Sequence, residues 1–136
     1  MDYWIFQAIP QRFDLRKGIV EGKQDTWDAT RYLKLLKPDD IVFFWQAGSE
    51  DVRGVYGWGR VVSQPYIKPE WTKHGIDVIY EKRLRPHISV KEIKTIPALK
   101  DMLILRTAQN TNFLLSEDEA RAISKLMKPE QRPEEI

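Results

Sequence analysis

Between residues 40 and 62 the chain runs through two apolar, aromatic and β-branched stretches, residues 41–47 and 55–62, with a polar turn from Gly48 to Gly54 between them. That pattern predicts a β-hairpin with a longer loop rather than a tight turn. Because successive side chains of a strand point opposite ways, Ile41, Phe43 and Trp45 fall on one face and Val42 and Phe44 on the other. A strand apolar on both faces is covered on both, so this one is expected at the centre of a sheet. In the second stretch Gly57 and Gly59 share a face with Val55 and Val61, while Tyr56, Trp58 and Arg60 take the other. Paired glycines on one face point to a sharp bend or a close approach by backbone or ligand. Together these features predict a small, strongly bent barrel.

Around this hairpin the remaining elements follow from the same signals. Tyr3–Ala8 reads as a first strand, with Trp4 and Phe6 on one face, stopped by Pro10. Residues 11–23 are polar and contain Gly18 and Gly22, a loop with a short helical turn capped by Asp14. Residues 25–37 are expected to form a helix with Asp28 at its N-cap and Tyr32, Leu35 and Leu36 toward the core, placing Trp27 at the helix mouth. Residues 63–75 form a long connection carrying Pro65, Tyr66, Pro69, Trp71 and His74. The alternation of Ile76, Val78 and Tyr80 with Asp77, Glu81 and Arg83 predicts a half-buried strand over residues 76–84, closed by Pro86. Ser89 and Glu92 have capping-box spacing, and Pro97 favours a helix start at Ala98. Residues 103–105 and Asn112–Leu115 are short apolar runs able to complete the sheet. Ser116 and Glu119 form a second capping box for a last helix to about residue 127 that buries Ala120, Ile123 and Met127. Residues 129–136 are charged and Pro-containing and are expected to fray.

At 136 residues the length is that of one domain, here residues 1–128, followed by the tail 129–136. The hydrophobic share of 42% and charged share of 31% belong to a soluble globular chain. No apolar run approaches the roughly 18 residues of a membrane span, and Asp2 and Tyr3 lead straight into strand-like sequence rather than a signal peptide. A cytoplasmic protein without a membrane partner is expected. The absence of cysteine removes disulfide and thiolate chemistry, and two histidines, His74 and His87, cannot by themselves supply a zinc site. No P-loop, dinucleotide fingerprint or nucleophile elbow occurs, so neither a cofactor nor a catalytic residue is assigned. A net charge of +2 is too small to argue for nucleic acid on its own, but five Trp and five Tyr make the chain rich in flat aromatic surface.

Those aromatics are the candidate chemistry. Trp27 is either a packing residue or one wall of a base-stacking cage, since an aromatic face holds any base for roughly 1–3 kcal/mol. Trp71, in a Pro-containing loop, is either a loop anchor or a ligand contact. Trp45 ends a strand and reads as core or rim, and Trp4 and Trp58 as core or barrel wall. Asp28 is either a helix cap or an acceptor for an exocyclic base amine. Gln7 and Gln46 carry amides that suit a base edge or the backbone groups at strand ends. Arg12, Arg16, Lys17 and Lys23 cluster between the first strand and Trp27, where they form either a solvated face or a set of phosphate contacts.

The order of elements, with Tyr3–Ala8, Thr26-Trp27-Asp28, the run Lys37-Pro38-Asp39-Asp40-Ile41-Val42-Phe43-Phe44-Trp45, and Gly54-Val55-Tyr56-Gly57-Trp58-Gly59, resembles the EVE domain. This is a member of the PUA-like superfamily that also holds YTH and ASCH domains, and the resemblance spans roughly residues 3–127. Gln7 departs from the lysine that family members often carry. The resemblance implies an α+β fold, a PUA-like twisted β-barrel of about five or six strands with peripheral helices. It also implies a pocket that accepts a modified base, such as a methylated or hydroxymethylated cytosine or N6-methyladenine, flipped out of its stack. Partners would be modified DNA or RNA, with restriction or RNA-modification proteins beside them. Two alternatives stand next to it: a plain RNA-binding module, and an ASCH-like hydrolase of RNA or modified nucleosides using Glu21, Lys23 and Thr26.

Overall fold

In the computed structural model, which describes every residue except Trp71 and Ala108, residues 40–62 form the expected hairpin. Its strands are β3 (Ile41–Gln46) and β4 (Gly54–Val61), paired antiparallel. On its other side β3 runs parallel to β1 (Tyr3–Ala8), so it is an interior strand and every one of its residues is buried. The two-sided hydrophobic pattern is satisfied literally. Ile41, Phe43 and Trp45 enter one core, and Val42 and Phe44 enter a second core on the opposite face.

The other strands are β2 (Gln24–Ala29), β5 (Tyr66–Ile67), β6 (His74–Ser89) and β7 (Asn112–Leu115). They complete a mixed seven-stranded sheet in the order β2-β6-β4-β3-β1-β7, with β5 attached to β6. The strand number exceeds the expected one because β2 and the two-residue β5 are strands where the sequence pattern announces none. The sheet curls into a half-barrel. Its concave core holds Trp4, Phe6, Trp27, Val42, Phe44, Ile76, Val78 and Tyr80. The convex core is covered by α2 (Val90–Lys94), α3 (Leu103–Arg106) and α4 (Glu117–Lys125). The caps of α2 and α4 are those legible in the sequence, Ser89 accepting from the Glu92 N–H and a full Ser116/Glu119 capping box. α1 (Leu15–Gly18) is likewise capped by Asp14.

Curling brings the two edge strands β2 and β7 toward each other without a backbone ladder between them. Asn112, buried at the start of β7, bridges the gap: its Oδ1 accepts from Thr30 N at 2.8 Å and its Nδ2 donates to the Asp28 carbonyl at 3.1 Å. The ladders on both sides of β4 are irregular. Tyr56 is an extra residue there, since Phe44 pairs with Gly57 but Trp45 with Val55. This bulge puts Val55 on the convex side with Trp58, opposite to the face that strict alternation assigns it. Gly57 and Gly59 lie on the concave side, where a Cβ at either would run into a carbonyl of β6, Lys82 and Ile79 respectively. The approaching group is therefore backbone, as the paired glycines allowed.

Several expectations are corrected. The expected helix over residues 25–37 is instead β2 followed by a turn: Trp27 and Ala29 point into the concave core while Thr26 and Asp28 stay half-exposed, and the strand pairs with β6, Trp27 opposite Ile76. Tyr32 adopts φ +59, a left-handed conformation that no right-handed helix continues through. Asp28 therefore caps nothing. Pro86 does not close β6, which continues to Ser89. Pro86 falls in the irregular stretch between the pairs Gly57/Arg83 and Val55/Ile88, where its missing N–H costs no ladder bond. Residues 103–105 belong to α3 rather than to the sheet, and no helix begins at Ala98. Residues 129–136, expected to fray, are tied down: the Trp58 indole donates to the Gln131 carbonyl at 2.7 Å, Arg60 pairs with Glu135, and Arg132 donates to the Ser124 and Met127 carbonyls.

Candidate functional site

The unclosed seam of the half-barrel opens into a pocket of about 520 Å³, within the roughly 300–1,000 Å³ span of small-ligand sites. Three chain segments wall it. Gln7, Ala8, Ile9, Arg12 and Phe13 come from β1 and the loop after it, Thr26, Trp27 and Asp28 from β2, and Gln109, Asn110 and Thr111 from the approach to β7, with Lys73 at the rim. A barrel whose edge strands are bridged through Asn112 rather than by a backbone ladder leaves room for such a gap.

The aromatic surface of the pocket comes from Trp27 and Phe13, and Trp27 is fixed by several neighbours. Its Nε1 donates to the Tyr80 hydroxyl at 3.0 Å, and that hydroxyl donates to Asp25 Oδ2 at 2.8 Å. Burial, then the Asp25 contact, raise the Tyr80 pKa far above the ordinary tyrosine range, while the Trp27 bond opposes the rise, so the hydroxyl stays neutral. Phe44 packs against the indole at 5.3 Å, Phe6 at 6.2 Å, and Phe13 stacks on it at 5.6 Å and 22° between planes. Trp27 is only 6% exposed, a packing residue that also borders the pocket.

Polar groups line the opposite wall. Gln7 donates its amide to the Asn110 carbonyl at 2.8 Å, and its backbone N–H donates to the Thr111 carbonyl at 2.8 Å, fixing residues 109–111 against β1. Asp28 also lines the pocket, its carboxylate 3.8 Å from the Arg12 guanidinium. A second hollow of about 370 Å³ adjoins, lined by Arg12, Asp28, Glu70, Thr72 and Lys73. The site thus offers a flat aromatic wall, amide and carboxylate groups for a planar polar ligand, and cations at the mouth.

Of the residues singled out from the sequence, Gln7, Arg12, Trp27 and Asp28 converge here. Trp45 and Gln46 do not. Trp45 is 1% exposed in the convex core, across the sheet from Trp27. Gln46 spends its amide on structure, accepting from Leu15 N at 2.7 Å and donating to the Ala8 and Phe13 carbonyls. Arg16 pairs with Asp14 at 3.0 Å and borders a different hollow beside Tyr56 and His87, while Lys17 and Lys23 are exposed outside the pocket lining. Trp71 lies outside the described residues. Phe13, Lys73 and residues 109–111 were not anticipated. Their only sequence signal is the polar interruption between two apolar runs, which reads as an ordinary loop. The set Glu21, Lys23 and Thr26 does not assemble: the Glu21 carboxylate accepts from Arg83 N at 3.0 Å and the Thr26 hydroxyl donates to Asp77 at 2.7 Å. Among the described residues no group of three His, Asp or Glu side chains can hold a metal ion, and no helix is long and apolar enough to cross a membrane.

The family model of the EVE domain matches residues 2–126. No curated protein matches the chain. Solved structures with the same fold include a hypothetical protein from Leishmania major, 21% identical, covering 97% of this chain and 98% of its own, with a TM-score of 0.74. A protein from Rhodopseudomonas palustris is 15% identical over 97% and 99% of the two chains, with a TM-score of 0.77. Human THYN1, solved in complex with DNA containing 5-methylcytosine, is 17% identical over 95% and 100%, with a TM-score of 0.74.

Proposed function

Because the chain belongs to the EVE domain family, we propose that it is a nucleic-acid-binding module, not an enzyme, that reads one modified base flipped into the pocket beside Trp27. The observation that carries this reading is the pairing of a rigid indole wall with the amide and carboxylate groups of Gln7, Asn110 and Asp28 in one gap of the barrel. A flipped base needs both: stacking to offset the few kcal/mol of unstacking, and hydrogen bonds on its edge. Arg12 and Lys73 at the rim suit the flanking phosphates, whose contacts add affinity without sequence information. THYN1, bound to DNA with 5-methylcytosine, supports modified DNA as the ligand class. Trp71, between the hollow-lining residues Glu70 and Thr72, is proposed as the second aromatic contact.

The test is a fluorescence-anisotropy titration of one oligonucleotide carrying a central 5-methylcytosine, cytosine, N6-methyladenine or adenine, as DNA and as RNA, at two salt concentrations. One buried methyl is worth about 0.8 kcal/mol, so the preferred modified base should bind about fourfold tighter, and more where the cage is shaped to it. Affinity for all forms should fall with salt. Equal affinity for modified and unmodified bases at both salts contradicts base reading and leaves a plain nucleic-acid binder. Mass spectrometry of the recovered oligonucleotide should show it unaltered; a cleaved product would favour the hydrolase.

A further inference from the structure

Trp27 lines the pocket, yet its stacking face is already taken. The Phe13 ring lies on it at 5.6 Å between centroids and 22° between planes, close to the arrangement a nucleobase adopts on an indole. The other aromatic neighbours, Phe6 and Phe44, are fully buried core residues. Phe13 differs from them: it is half-buried, it follows β1 in a loop, and it lines the pocket itself.

The main chain under Phe13 is pinned by hydrogen bonds, while its ring is held by packing alone, on Trp27 and over Gly18. Phe13 N donates to the Ile9 carbonyl at 3.0 Å, its carbonyl accepts from Gln46 Nε2 at 3.2 Å, and Leu15 N donates to Gln46 Oε1. Gln46, buried and committed to this loop, holds the backbone on both sides of the ring. With the loop so held, rotation about the side-chain bonds of Phe13 is the motion that exposing this face of Trp27 would require. Gly18 completes the seat: a Cβ there would overlap the Phe13 ring, and Gly18 is not in the left-handed backbone region, so the glycine provides room rather than conformational freedom.

We propose that Phe13 is the resident occupant of the base's stacking place on Trp27 and is displaced ring for ring by the incoming base. This deepens the base-reading proposal and rests on it. It makes Phe13 a residue that sets affinity. A base enters only if its stacking and edge contacts exceed those of the phenyl ring it replaces, a cost common to every base, so the ratio between a modified and an ordinary base is left to the other contacts of the pocket.

The test uses the full chain labelled with 5-fluorotryptophan, the Trp27 fluorine resonance being assigned by its loss in Trp27→Phe. Gly18→Ala, which unseats the ring, should move the Trp27 resonance toward its position in Phe13→Ala. The double variant Phe13→Ala/Gly18→Ala should coincide with Phe13→Ala. In titrations with the 5-methylcytosine and cytosine oligonucleotides, Phe13→Ala, Phe13→Leu and Gly18→Ala should each tighten binding by about two- to tenfold, the population shift that one stacked aromatic pair supports. The gain should be the same for both oligonucleotides, because the cost of displacing the ring is common to them. Phe13→Leu keeps the site filled with apolar atoms if Phe13→Ala fails to fold. Weaker binding by Phe13→Leu while the wild type still discriminates would overturn this inference alone, making Phe13 a wall of the cage. An unmoved Trp27 resonance in Gly18→Ala would also overturn it. Failure of the wild type and all variants to bind any oligonucleotide would overturn the base-reading proposal with it.

Discussion

Replacing Tyr80 by Phe removes one oxygen from the centre of the concave core and isolates the support of the pocket wall. The ring stays, so no cavity forms, and since the Tyr80 hydroxyl remains neutral, no charge is lost. What disappears is the acceptor for the Trp27 Nε1–H at 3.0 Å and the donor to Asp25 at 2.8 Å. Asp25 is half-exposed and regains water, but the indole N–H is buried and is left without a partner. An orphaned buried donor costs about 1–3 kcal/mol. A domain of this size loses about 4 °C of Tm per kcal/mol, so the expected drop is about 4–12 °C. Urea unfolding and thermal scans of wild type, Tyr80→Phe, Trp27→Phe and the double variant would measure it. Once the indole N–H is gone the hydroxyl has less to do, so the double variant should lose less stability than the sum of the singles. Oligonucleotide affinity should fall in Tyr80→Phe, because the indole loses the bond that orients it. Unchanged stability in Tyr80→Phe, or strict additivity of the two substitutions, would refute the relay.

Asn112→Ala removes the bridge between β2 and β7 and should cost about 1–3 kcal/mol in urea unfolding, with weaker oligonucleotide binding because Asp28 loses its tie to β7. Truncation after Lys128 strips Trp58 of its Gln131 acceptor and Arg60 of Glu135. It should lower the urea midpoint by an amount equivalent to about 1–3 kcal/mol, whereas a frayed tail would leave it unchanged. His87, stacked on Tyr56 at 4.3 Å, has its pKa lowered by burial, partly opposed by its hydrogen bond to Asp51. The unfolded chain then binds more protons than the native one between the ordinary histidine value, about 6.5, and the lower folded value. Stability from this group is present above about 6.5 and lost as pH falls through the folded pKa. Urea midpoints at pH 7.5 and 5.5 should show this loss in the wild type and less of it in His87→Gln.

The central strands were legible because a two-sided hydrophobic run such as residues 41–45 has few other solutions, and capping pairs such as Ser116 and Glu119 mark helix starts by local chemistry alone. β2 was misread for a physical reason. Asp28 followed by Tyr32, Leu35 and Leu36 imitates a capped amphipathic helix, while the true period-two signal, Asp25-Trp27-Ala29, is short and needs β6 beside it to be satisfied. The left-handed Tyr32 that ends the matter is invisible in sequence. For the candidate site, the sequence points to Trp27, Asp28, Gln7 and Arg12 because they are of flat aromatic, edge-binding and cationic types, and these four line one pocket. Trp45 and Gln46 share those types, but the sheet spends them elsewhere: one faces the convex core, and the other bolts down the loop that presents Phe13. Residues 109–111 enter the pocket only because β7 pairs with β1 across more than a hundred residues of chain, a contact no local pattern encodes.

The most direct measurement is an NMR titration of the isotope-labelled chain with an oligonucleotide carrying one central 5-methylcytosine. The largest amide shifts should cluster at Gln7, Phe13, Trp27, Asp28 and residues 110–111, with smaller changes at Arg12 and Lys73, and the unmodified oligonucleotide should perturb the rim more than the pocket. Shifts confined to another surface, such as the hollow bounded by Arg16, Arg83 and His87, with the Trp27 indole resonance unmoved, would contradict the claim that the gap in the barrel is where the base is read.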